Sequence, residues 1–234
     1  MIGIVDYKAG NIQSVRHALD FLHIEYVISD TPKNLENASC LMFPGVGNAA
    51  YAMERVKKAG FDSFLKERAA AEIPLLGICL GAQILFDYSE EDDTSCLGLL
   101  KGNVRLFKSV QDFPANLKIP HMGWNDIRYT KNTAALFNGI PEHGDFYFVH
   151  SYLICPENEE IVSAYTDYGI RVPAAVHQNN IYACQFHPEK SGMQGLRILQ
   201  NFAVLNAHSA QCAAQRKKHR LRKTYVEKKN NRMP

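Results

Sequence analysis

The sequence predicts an α/β protein: an open, mostly parallel sheet that becomes mixed towards one edge, with helices on both faces. Three observations carry this. Short apolar runs alternate with helical periodicity through the first part of the chain, the later part is rich in strand-like runs, and no repeat or low-complexity linker divides residues 1 to 206. In order, Ile2–Asp6 is the first strand, followed by a helix over Asn11–Leu22, strands at Glu25–Ile28 and Cys40–Phe43, and helices over Ala49–Ala59 and Phe61–Ala71. The apolar run at Leu75–Ile78 forms a strand that passes directly into an amphipathic helix, Leu80–Tyr88. Strands at Phe146–Tyr152, Val162–Ala164, Ala174–His177 and Tyr182–Phe186 then precede a closing helix over Gly195–Ala207.

Composition bounds the function without naming it. At 234 residues, 46% hydrophobic and 21% charged, the chain fits one globular domain with an ordinary surface. The four-residue apolar run before Asp6 reads as a strand rather than a signal peptide, and the longest apolar region, around residues 73 to 86, is too short and too glycine-interrupted to span a membrane. Six cysteines without a C-x-x-C pair read as reduced cytosolic thiols, and the expected location is the cytoplasm. Charge is uneven: residues 216–234 hold nine Lys or Arg against Glu227, a local +8 within a chain of net +2, so the rest is mildly acidic. Residues 207–234 are therefore expected to be a basic, poorly ordered extension; contact with nucleic acid or another polyanion is the less favoured reading.

Two motifs carry the chemistry. Gly77-Ile78-Cys79-Leu80-Gly81 has the form of a nucleophile elbow with cysteine in place of serine. Its glycines leave room at a tight turn, and a helix N-terminus beside Cys79 favours the thiolate. Downstream, Gln185-Phe186-His187-Pro188-Glu189-Lys190 supplies a base and a carboxylate. Pro188 biases His187 towards an extended backbone, in which His187 and Glu189 point to one side. Singly, each motif also fits a bland alternative, an inert core thiol or a surface turn. Together they predict a Cys79–His187–Glu189 triad. Gly45-Val46-Gly47-Asn48-Ala49-Ala50 satisfies the loose dinucleotide pattern, but it does not close the first strand–helix turn, where that fingerprint belongs. No His, Cys or acidic spacing suits a metal.

GICLGAQ and QFHPEK resemble the signatures of class I (triad) glutamine amidotransferases. DYKAGNIQSV, PGVG, PHMGWN, FYFVHSY and TDYG extend the likeness over roughly residues 1 to 206, towards the glutaminase subunits of imidazole glycerol phosphate synthases. The resemblance implies a flavodoxin-like sheet with the nucleophile at the C-terminal end of a strand, glutamine as substrate and no cofactor. It implies that Leu80 and Val46 N–H groups form the oxyanion hole, and that Gly47, Gln83, His150, Ser151 and Tyr152 bind glutamine. It further implies a (β/α)8-barrel cyclase as partner, docked at Asn11, Pro120, Met122, Trp124 and Lys190, which turns ammonia to imidazole glycerol phosphate synthesis. Lys8 stands where the family usually has glycine. A paralogue that feeds ammonia to an amino-sugar or surface-polysaccharide synthase fits the same motifs, and a non-catalytic dinucleotide-binding module is the remaining alternative.

Overall fold

A computed structural model describes residues 1–8 and 11–205; the basic extension from 207 lies outside the described residues. The strands are β1 (Ile2–Val5), β2 (Tyr26–Ser29), β3 (Cys40–Gly45), β4 (Leu75–Cys79), β5 (Tyr88–Ser89), β6 (Thr94–Ser95), β7 (Gly102–Leu106), β8 (His121–Asp126), β9 (Arg128–Tyr129), β10 (Asp145–His150), β11 (Tyr152–Pro156), β12 (Val162–Asp167), β13 (Arg171–Gln178) and β14 (Ile181–Cys184). The helices are α1 (Ile12–Phe21), α2 (Ala49–Lys58), α3 (Phe61–Ala70), α4 (Leu80–Gln83) and α5, which covers 192–205 of the described residues.

The central sheet runs β2-β1-β3-β4-β14-β13-β12-β9. Its first five strands are mutually parallel, and β13, β12 and β9 add antiparallel pairings, so the predicted mixed edge is present. The parallel strands are buried on both faces, as their unbroken apolar runs require: β1, β3, β4 and β14 contain no exposed residue. One face is covered by α2 and α3 through Val56, Phe61 and Leu65, the other by α1 and α5 through Val15, Leu19, Leu199 and Phe202. Two smaller sheets, β10-β8 and β11-β7-β5-β6, stand beyond the carboxyl ends of the parallel strands.

Two predicted elements change. The helix expected over Leu80–Tyr88 stops after one turn at Gln83. Beyond it the buried Ile84, Leu85 and Phe86 still donate back to the turn, but their carbonyls accept from the N–H groups of Leu97 to Leu100, so a loop takes the acceptors that a further helical turn would need. The strand expected over Phe146–Tyr152 is two strands: β10 pairs with β8, β11 pairs with β7, and Ser151 is the crossing between them. A continuous apolar run does not reveal that its halves have different partners. Strands β5 to β9 are short or partly exposed, and no clear apolar run announces them.

Candidate active site

Cys79 ends β4 with φ 53° and ψ −112°, a left-handed conformation that a residue with a Cβ adopts only under constraint. The constraint is the packing of the elbow beneath β3. A Cβ on Gly81 would overlap the Phe43 carbonyl, so the helix can follow the nucleophile at this angle only with glycine there. The thiol is 7% exposed. With only four residues, α4 supplies little of the macrodipole expected from the sequence at Cys79.

His187 and Glu189 come from the segment after β14, the strand adjacent to β4. His187 is extended (φ −100°, ψ 94°), as Pro188 predicts, but Glu189 lies in a single 3-10 turn, Pro188–Lys190. The pair still forms: His187 Nδ1 and Glu189 Oε1 are 2.7 Å apart, with both side chains 2% exposed. The turn, not an i, i+2 alternation, brings them together. Its backbone is clamped to β10, because His187 N–H donates to the Tyr147 carbonyl at 2.9 Å, Ser191 Oγ donates to the His187 carbonyl at 2.6 Å, and Tyr147 N–H donates to Ser191 Oγ at 3.0 Å. Burial disfavours the imidazolium, yet the Cys79 sulfur and the Glu189 carboxylate outweigh it and raise the His187 pKa above its ordinary value. His187 Nε2 has no aligned hydrogen-bond partner, and the thiol contacts the Val149 carbonyl at 3.9 Å.

Cys79 and His187 line a cavity of about 280 Å³ together with Val46, Gly47, Leu80, Gln83, Glu91, Pro120, Val149, His150, Ser151 and Tyr152. Every residue predicted for glutamine or the oxyanion is there, and Pro120, predicted at the partner face, reaches the cavity as well. Two of them are not free to bind through their donors. Gln83 Nε2 donates to the Tyr152 carbonyl (2.9 Å) and to Gln185 Oε1 (3.0 Å), which leaves its amide oxygen for a ligand. The His150 ring is engaged at both nitrogens, by His121 Nδ1 at 3.0 Å and the Tyr152 carbonyl at 2.8 Å. Burial lowers its pKa to about 3, so it is neutral.

The β3–β4 ladder sets the direction of the two N–H groups expected at the oxyanion, those of Leu80 and Val46. Leu41 N–H donates to the Pro74 carbonyl, and the register runs unbroken to the Gly45↔Cys79 pair. Its two-residue alternation points the Gly45 carbonyl at the Leu80 N–H. The Gly45–Val46 peptide is trans, so the Val46 N–H faces the opposite way. One donor is thus covered and the other is turned away.

Outside the cavity, Met122 (65% exposed) and Trp124 (57%) stand on β8. Trp124 pairs with Tyr147, whose ring it meets edge-on at 6.1 Å, and Lys190 Nζ lies 5.8 Å from that ring. Tyr147 is 6.4 Å from the His187 ring, so this face backs onto His187. Asn11 opens α1, which packs against the 188–190 turn, so it lies towards the same end of the molecule.

The family model for class I glutamine amidotransferases matches residues 3–206. The chain belongs to this family. It is 45% identical over 203 residues (86% of the chain, 96% of the relative) to the imidazole glycerol phosphate synthase subunit HisH of Dehalococcoides mccartyi strain 195. It is 47% identical over 206 residues (88% and 97%) to the protein of the same name from Geobacillus sp. strain WCH70. Solved structures share the fold at lower identity. A glutamine amidotransferase crystal structure aligns with TM-score 0.69 at 21% identity (88% and 98% covered), and a putative GMP synthase protein from Thermoplasma acidophilum with 0.68 at 19% (91% and 96%).

In this amidotransferase the sequence assigns no role to two groups close to Cys79 or the cavity, Glu91 outside both motifs and Gln185 at the start of the second. Glu91 is half-buried beside the Val46–Gly47 loop, its Oε2 accepting from Ala49 N–H at 2.7 Å, and burial raises its pKa. Among the described residues it is the single carboxylate lining the cavity. It also fills the N-terminus of α2, where the dinucleotide reading would need a pyrophosphate. Gln185, fully buried, reaches Cys79 Sγ at 3.9 Å through its amide nitrogen. Nothing in the spacing marks Glu91; the tight fold of residues 84–100 brings it in.

Proposed function

We propose that this chain is the glutaminase half of an imidazole glycerol phosphate synthase, hydrolysing glutamine through a Cys79 thioester and handing ammonia to a (β/α)8-barrel cyclase subunit. The observation that carries the chemistry is the buried 2.7 Å contact between His187 and Glu189 beside a thiol held in a strained elbow. Cys79 attacks the amide carbon while His187 takes the thiol proton and returns it to the leaving ammonia, and Glu189 fixes the imidazole tautomer and stabilises its charged form. Water then releases glutamate. The Glu91 carboxylate suits the substrate α-ammonium, and the Gln83 amide oxygen, the open Gly47 and the Ser151–Tyr152 crossing complete the glutamine site.

The Met122–Trp124–Lys190 face, with Asn11 and Pro120 towards the same end, is the docking surface in this reading. Exposed Trp and Met are what interface centres favour. The position of this face behind His187 gives ammonia a short way out. The relatives named above support this acceptor over an amino-sugar or surface-polysaccharide synthase, and the cytoplasm follows as the site of action. The test is to mix the chain with the cyclase and follow imidazole glycerol phosphate formation. Cys79→Ala should abolish the glutamine-dependent reaction and leave synthesis driven by ammonium salts intact, because the acceptor chemistry belongs to the other chain. Glutamine turnover by that variant would overturn the thioester route.

A further inference from the structure

Tyr7 is buried to 1% exposure, and its hydroxyl has no hydrogen-bond partner. An orphaned buried hydroxyl carries a desolvation cost that a phenylalanine would avoid, so its presence calls for a second use. Its surroundings supply one. The Tyr7 ring packs on Phe43 with centroids 5.3 Å apart, and a Cβ placed on Gly45 would stand 2.5 Å from the hydroxyl. The phenol therefore lies against the Cα of Gly45, the residue whose carbonyl covers the Leu80 N–H. Tyr7 follows β1, and β1 flanks β3 on the side opposite β4. If the Gly45–Val46 peptide turns so that Val46 N–H faces the thiol, its carbonyl swings away from β4 towards the β1 side. There it needs a donor, and the buried Tyr7 hydroxyl is beside it without a partner.

We propose that Tyr7 is a positioning residue of the glutaminase reaction: in the active conformer its hydroxyl donates to the Gly45 carbonyl and holds the Val46 N–H towards the oxyanion. This rests on the reading of Val46 as an oxyanion donor. The hydroxyl stays protonated through the working range, because burial, together with the nearby Cys79, raises its pKa. The arrangement also gives Gly45 its identity. Any side chain there would strike both the phenol and the Gly81 backbone nitrogen, and would block the turn.

Tyr7→Phe tests this in the complex with the cyclase, measured with and without imidazole glycerol phosphate on the cyclase. The wild type should show a large rise in glutaminase kcat on ligand addition. In Tyr7→Phe the stimulated kcat should fall about tenfold, the worth of one buried hydrogen bond, with KM for glutamine within about twofold. The melting temperature should stay level or rise, since the substitution removes an unpaired hydroxyl. A ring-fluorinated tyrosine at position 7, a stronger donor of nearly the same shape, should keep or exceed the wild-type kcat. A wild-type stimulated kcat in Tyr7→Phe would overturn the proposal. So would a melting temperature well below wild type, which would assign Tyr7 to packing alone. A wild type that ligand does not stimulate would overturn the Val46 reading, and this one with it.

Discussion

His187, extended just before a single 3-10 turn, and Glu189, within that turn, hold each other at 2.7 Å with both side chains 2% exposed. A buried pair of this kind is expensive to break from one side, because the remaining partner keeps its desolvation cost. Glu189→Gln retains the shape and removes the charge that favours imidazolium and the correct tautomer. Glutamine hydrolysis by the complex should fall on the order of 10³-fold in kcat. Steady-state glutaminase assays check this, and the melting temperature should move little compared with Glu189→Ala.

Glu91 lies in neither motif and is assigned by geometry alone, as the single carboxylate among the described residues lining the cavity. Its partial burial strengthens a contact with the substrate α-ammonium. Glu91→Gln should lower kcat/KM for glutamine about 10²-fold, mostly through KM, while leaving the rate of Cys79 alkylation by iodoacetamide near wild type. An unchanged KM would remove Glu91 from the substrate site.

How much of this was legible in the sequence differs by element. The parallel strands were, because β1, β3, β4 and β14 are buried on both faces and their apolar runs say so. The elbow at Cys79 was, because its flanking glycines announce it, whereas the 3-10 turn that brings Glu189 to His187 was not, since an extended segment was expected there. Glu91 was not, since it is placed by long-range bonds that fold residues 84–100 back on themselves. The internal engagement of His150 was also hidden: strand alternation gives the side a residue faces, but not that His121 waits there across the β8–β10 pair.

That histidine pair makes stability depend on pH. Burial lowers the pKa of His121 to about 4 and that of His150 to about 3, against an ordinary value of 6.5. Below pH 6.5 the unfolded chain takes up protons that the folded chain refuses, so stability is full above that pH and is lost as the pH falls. Between about pH 6.5 and 5 each histidine should contribute a loss on the order of 1–2 kcal/mol. Urea unfolding across that range measures it, and His121→Asn should show a shallower slope than the wild type.

The last prediction concerns control. The β3–β4 register points the Gly45 carbonyl at the Leu80 N–H and turns the Val46 N–H the other way, so neither of the two N–H groups proposed for the oxyanion is presented to the thiol. Losing one such donor typically costs about 10²–10³ in rate. The isolated chain should therefore bind glutamine and hydrolyse it very slowly. A ligand-loaded cyclase shifts the peptide only if it binds the turned conformer more tightly, and that differential affinity is the energy of activation. Because the donors act on the developing oxyanion and not on the bound amide, activation should appear in kcat far more than in KM. Steady-state glutaminase kinetics with and without the loaded partner decide this. A free chain already at full speed would refute the switch and leave the triad chemistry standing.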